Sequence, residues 1–162
     1  MDSENNEDQM KGKNNYTKFV GMLAASFIAM YMTMYLNTYA IDHVYFSLTR
    51  FYMSCLGIAA MAIIMFVAMR NMYQNKKKNL AIVLGSIVLF VGALGLVRDQ
   101  KSTVGDVLWM KAMIPHHSIA ILTSERADIQ DPEVKQLAED IIEAQRKEIT
   151  EMKEMIERLE SK

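Results

Sequence analysis

The sequence predicts an all-α membrane protein: three transmembrane helices followed by a two-helix polar hairpin. Three observations predict it. The chain has 162 residues, 51% of them hydrophobic, with only two prolines and seven glycines, which disfavours a loop-rich β fold. Three runs carry no charged residue, and all end before residue 100. The net charge of −1 divides into +4 over residues 1–101 and −5 over 102–162, so the chain has two unlike parts. Neither part is basic enough to expect nucleic acid as a partner.

The uncharged runs are Phe19–Ile41, Phe51–Met69 and Asn79–Val97, of 23, 19 and 19 residues. About 20 apolar residues at 1.5 Å each cross a hydrocarbon core of roughly 30 Å. Residues 18–98 are therefore expected to form a three-helix transmembrane domain. A cleaved signal peptide fits the first run poorly, because the first ten residues hold four acids and no base. Residues 1–17 are polar and expected to be a disordered tail.

Lysine and arginine near the helix ends set orientation. The tail has Lys11, Lys13 and Lys18, and the loop after the second run has Arg70, Lys76, Lys77 and Lys78. Arg50, Arg98, Lys101 and Lys111 lie on the other side. Seven against four favours a cytoplasmic N-terminus, a multi-pass protein of the cell (inner) membrane, and an extracytoplasmic C-terminal domain.

The C-terminal domain, 102–162, reads as a hairpin. From Asp106 to Arg126, apolar residues recur at spacings of three and four, interrupted by Pro115, where a kink is expected. Asp131-Pro132-Glu133 is a helix start, with Asp as N-cap and Pro at the first helical position. The second helix then runs to about Leu159. Val134, Ala138, Ile141, Gln145, Glu148, Met152, Met155 and Leu159 follow alternating spacings of four and three, a heptad seam. Its one carboxylate, Glu148, is either a paired or cation-bound group or a wet edge that yields its place to Ile149.

Met110, Met113, His116 and His117 lie within eight residues. On a helix Met110, Met113 and His117 share a face, bordered by His116. Thioether and imidazole suit copper, Cu(I) above all; zinc gains little from thioethers, and magnesium and calcium need oxygen. Taken singly, the methionines read equally as core packing and the histidines as a solvated face. A lone cysteine, Cys55, excludes an internal disulfide and any CxxC motif. No nucleophile constellation, phosphate-cradling glycine loop or Glu-x-x-His motif is present, so no enzyme is expected. Asp42-His43 lies in a short loop and reads as solvated, or as an additional ligand pair.

The string Met110-x-x-Met113-Ile114-Pro115-His116-His117, followed by Gln145-x-x-Glu148-Ile149-x-x-Met152, resembles the domain of unknown function 305 family over roughly 104–160. That family is similar to ferritin-like helical bundles, and some members are periplasmic copper-binding proteins. The resemblance implies a ferritin-like hairpin in a membrane-anchored subset of the family. It also implies copper held by Met110, Met113, His116 and His117, with Met152 and Met155 from the second helix and Glu148 as accessory ligand or ring orienter. A short Ala127–Asp131 connection would bring Met152 rather than Met155 to the site. A lone hairpin is small, so a homo-oligomer pairing into a four-helix bundle is expected. The functional expectation is a copper buffer, tolerance or handover protein that exchanges copper with a donor or acceptor protein. Alternatives are a metal-free structural or regulatory hairpin for a membrane partner, or an export component that uses the methionine stripes Met30–Met34 and Met61–Met65–Met69.

Overall fold

A computed structural model describes residues 2–161, with side chains from Asn15 onward. Among them are five α-helices and no strand: α1 (Asp2–Thr33), α2 (Leu48–Ala68), α3 (Lys76–Arg98), α4 (Asp106–Arg126) and α5 (Pro132–Glu160). Short 3-10 turns occupy Ile41–His43 and Arg70–Met72. The helices gather into two compact units, residues 1–31 with 51–99, and residues 32–50 with 100–162.

Among the described residues two helices, not three, are long and apolar enough to cross a membrane: α2, with mean hydropathy 2.2, and α3, with 2.7. The first uncharged run fails for a structural reason. Its helix stops at Thr33, so its helical apolar part, 19–33, is only about 22 Å long at 1.5 Å per residue. After Thr33 the chain turns. Tyr35 and Leu36 N–H groups bond the carbonyls three residues back, and the Arg50 guanidinium donates to the Met34 carbonyl at 2.6 Å. Hydropathy continues to Ile41, but the helical hydrogen bonding does not. α1 also begins at Asp2, so the residues expected as a disordered tail are continuous with it.

α1 packs antiparallel along α2. Tyr16 Oη bonds the Asn79 side chain at 2.7 Å, beyond the end of α2, while Phe27 and Tyr31 meet Phe51 near its start. The contact uses small residues: a Cβ on Gly57 would lie 2.8 Å from Met30 Sδ, and Ser54, Ala59 and Ala62 are buried on α2. Close approach through small residues is how apolar helices pair in lipid. Phe19, Ala62 and Tyr73 form the cluster that Met65 and Met69 pack against, whereas Met61 is exposed. Asn75 caps α3 by accepting from Lys78 N–H.

In the second unit α4 and α5 form the expected antiparallel hairpin. Asp131 caps α5 as predicted, accepting from Glu133 and Val134 N–H at 2.9 and 3.0 Å. α4 is one helix through Pro115, which is itself buried. The core is Met110, Ile114, Ile121, Ile149, Met152 and Ile156. The seam of α5 therefore differs from the one read in the sequence. Ala138, Ile149, Met152 and Ile156 are buried, Ile142 and Leu159 flank them, and Glu148 is exposed. Leaving the carboxylate in water avoids its desolvation, and Ile149 takes the position inside.

The two helices are staggered. Glu125 pairs with Arg146 and Lys111 with Glu160, so the first turns of α5 run past the end of α4; residues 132–137 are all exposed. The connection 127–131 bends at Ala127 and Asp131, and the Ile129 N–H bonds the Ala127 carbonyl at 3.1 Å.

Candidate functional site

The Met/His site predicted on α4 is only partly assembled. Met110 and Met152 are buried in one core cluster, from opposite helices, with Met113 packed against it. His117 is mostly buried, and its Nδ1 lies 3.0 Å from Glu148 Oε2 on the facing helix. Nδ1 is buried, and the Glu148 carboxylate is the polar group that faces it. Burial pushes the His117 imidazole below its ordinary pKa; the Glu148 carboxylate opposes this and the neighbouring His116 adds to it. The ring is thus neutral at pH 7, the form that binds metals. His116 is exposed, with its ring 6.0 Å from that of His117. Met155 is 42% exposed and outside the core cluster. Among the described residues no three His, Cys, Asp or Glu side chains converge as a metal cluster. Any soft-metal site here would depend on the thioethers.

A second constellation escaped the sequence reading. The connection between α1 and α2, residues 34–47, is not a solvated loop: it lies as a strap on the hairpin. Ser118 of α4 is fully buried, and its Oγ accepts the Tyr39 N–H at 2.7 Å. The same Oγ is 3.0 Å from His43 Nδ1. With Oγ already accepting from the backbone, its own hydrogen is free to go to His43 Nδ1, which then carries its proton on Nε2, 3.9 Å from Asp42 Oδ2. Lys153 of α5 donates to Asp42, and Tyr45 packs against the hairpin core. Burial first, then the Lys153 charge, lower the His43 pKa; the Lys153 ammonium lowers that of Asp42. Hydroxyl, imidazole and carboxylate thus meet, but Ser118 has no access to solvent. The cleft beside it, about 380 Å³, is walled by Tyr39, Asp42, His43, Arg146 and Lys153 instead. The trio is a latch, not an exposed nucleophile. Nothing local in the sequence links positions 39–43 to 118 and 153.

Comparison with known proteins gives the relationship. The profile of a domain of unknown function (DUF305) matches residues 94–157. "Uncharacterized protein L153" of Acanthamoeba polyphaga mimivirus is 34% identical over 146 residues, covering 88% of this chain and 93% of that protein. The chain belongs to the DUF305 family. No solved structure matches it significantly. The DUF305 region takes in the end of α3, all of α4 and α5 to residue 157, and so holds Met110, Met113, His117, Glu148 and Met152. The strap lies outside it. The longer alignment to the viral protein exceeds the DUF305 region, so that likeness extends into the preceding helices.

Proposed function

We propose that this DUF305 protein is a membrane-anchored copper-binding protein that buffers or hands over copper. Its ligands would be Met110, Met113 and His117 of α4 with Met152 of α5, and Glu148 would orient the His117 ring. The observation that carries the reading is the mostly buried His117 imidazole, whose Nδ1 faces Glu148 at 3.0 Å and so leaves Nε2 as the metal-binding nitrogen, on the helix that also supplies two thioethers. A neutral imidazole beside thioethers is a donor set that favours Cu(I) over Zn(II). His116 and Met155 take outer positions in this proposal, because both are exposed. A metal-free structural hairpin is the second reading, favoured by the packing of Met110 and Met152 among isoleucines. The export alternative is weaker, because Met65 and Met69 are engaged in packing.

The hairpin side is proposed to be extracytoplasmic. The turn between α2 and α3 is flanked by Arg70 and Lys76–Lys78, and a basic connection favours the cytoplasm. A second copy is proposed to cover the exposed Val134 and Leu137 of α5 and complete a four-helix bundle.

Cu(I) and Zn(II) titration of the full chain in detergent tests the function. Met110→Leu with Met113→Leu should weaken Cu(I) more than Zn(II), and Glu148→Gln should cost about 10–100-fold in affinity. Parent-like Cu(I) binding by the methionine variant and by His117→Ala would leave the structural reading standing.

A further inference from the structure

We propose that the strap, residues 34–47, is an interfacial membrane anchor: one face latches the hairpin while the other lies in the lipid headgroup region. The strap has two chemically distinct faces. Its inner groups are the Tyr39 backbone N–H, His43, Tyr45 and Ser47, and the exposed Asp42 reaches Lys153 at the rim. Tyr39 N–H and His43 hold Ser118, Asp42 holds Lys153, Tyr45 packs on the hairpin core, and Ser47 is buried. Its outer residues are large and apolar: Ile41 is 90% exposed, Leu36 82%, Phe46 55% and Val44 45%. From Val44 to Ser47 exposure alternates residue by residue, the period of an extended chain with one side turned out.

Four large apolar side chains gathered on one short loop are costly in water and mark a surface that something covers. Connectivity identifies the occupant. α2, a candidate membrane span, starts at Leu48. At no more than about 3.5 Å per residue, Phe46 lies within roughly 7 Å of that start and Ile41 within roughly 25 Å. Val44 and Phe46 are therefore tethered close to the level at which α2 leaves the bilayer, and Ile41 lies within reach of it. Apolar side chains with polar groups behind them bind there by burying about 5–10 Å into the headgroup and acyl boundary. This deepens the membrane-anchored reading and rests on it.

Single cysteines carrying an environment-sensitive fluorophore, placed in full-length Cys55→Ser protein in nanodiscs, test the proposal. Positions are Leu36→Cys and Ile41→Cys on the strap, Ile64→Cys on the exposed side of α2, and Lys135→Cys on α5. Labels at 36 and 41 should emit at shorter wavelength than at 135, and be quenched by doxyl groups near the lipid headgroup but little by aqueous iodide. The label at 64 should be quenched by doxyl groups deep in the acyl chains. If 64 reports lipid while 36 and 41 behave like 135, the anchor proposal falls and the membrane reading stands. If 64 does not report lipid, the membrane reading falls and the proposal with it. If 36 and 41 are shielded from iodide yet insensitive to lipid quenchers, protein covers the strap and the proposal is overturned; loss of that shielding in nanodiscs holding one chain would identify a second copy as the cover.

Discussion

Ser118 serves two partners at once, because one buried hydroxyl satisfies both a backbone N–H and a ring nitrogen of the strap. Ser118→Ala leaves the Tyr39 amide without its acceptor, so we expect a loss of about 1–3 kcal/mol and faster hydrogen exchange at Tyr39, with α4 and α5 amides unchanged. Ile114, with no solvent exposure at the centre of the hairpin core, is a harsher test. Ile114→Ala should cost about 2–5 kcal/mol in denaturant unfolding. Of these residues, Asp131 was legible in sequence, because a cap acts on amides two and three residues away. Ser118 was not: its partners lie 75 and 79 residues away.

At the scale of the element, α5 shows how two heptad seams compete within one helix. The sequence admitted Glu148 or Ile149 inside, and the hairpin buries Ile149. Ile149→Ala should therefore lower the melting temperature clearly, and Glu148→Ala only slightly, reversing the order that a buried Glu148 would give. The strap and hairpin should also respond to acid. Burial lowers the pKa of both His43 and His117 relative to the unfolded chain. Below about pH 6.5 the unfolded state then binds more protons than the folded one. Stability is complete above that value and declines as pH falls through the lowered folded values. We expect a lower melting temperature at pH 5 than at pH 7.5, and a smaller difference in the His43→Gln, His117→Gln double variant. Asp42, whose pKa is also lowered, titrates below this range.

For the whole molecule, the two candidate spans make topology the decisive measurement. A chain that crosses the membrane through α2 and again through α3 returns to the side from which it came, so strap and hairpin then share a side whichever way the protein is oriented. A reporter after Lys162 should give the same result as one inserted at Asn37, and the opposite result to one at Gln74, between α2 and α3. By itself the sequence determined helices α2 to α5, the cap of α5, the apolar character of α2 and α3, and the gathering of two thioethers and two imidazoles within eight residues of α4. Each of these depends on composition, on periodicity or on residues within one or two turns. Only the tertiary structure decided the end of α1 at Thr33, the stagger of the hairpin, the burial of Ile149, and the strap's seat on Ser118. The reason is physical. Arg50 capturing the Met34 carbonyl, Lys111 meeting Glu160, and His43 meeting Ser118 join groups distant in sequence, and hydropathy and spacing carry no information about which distant polar group will satisfy a given one.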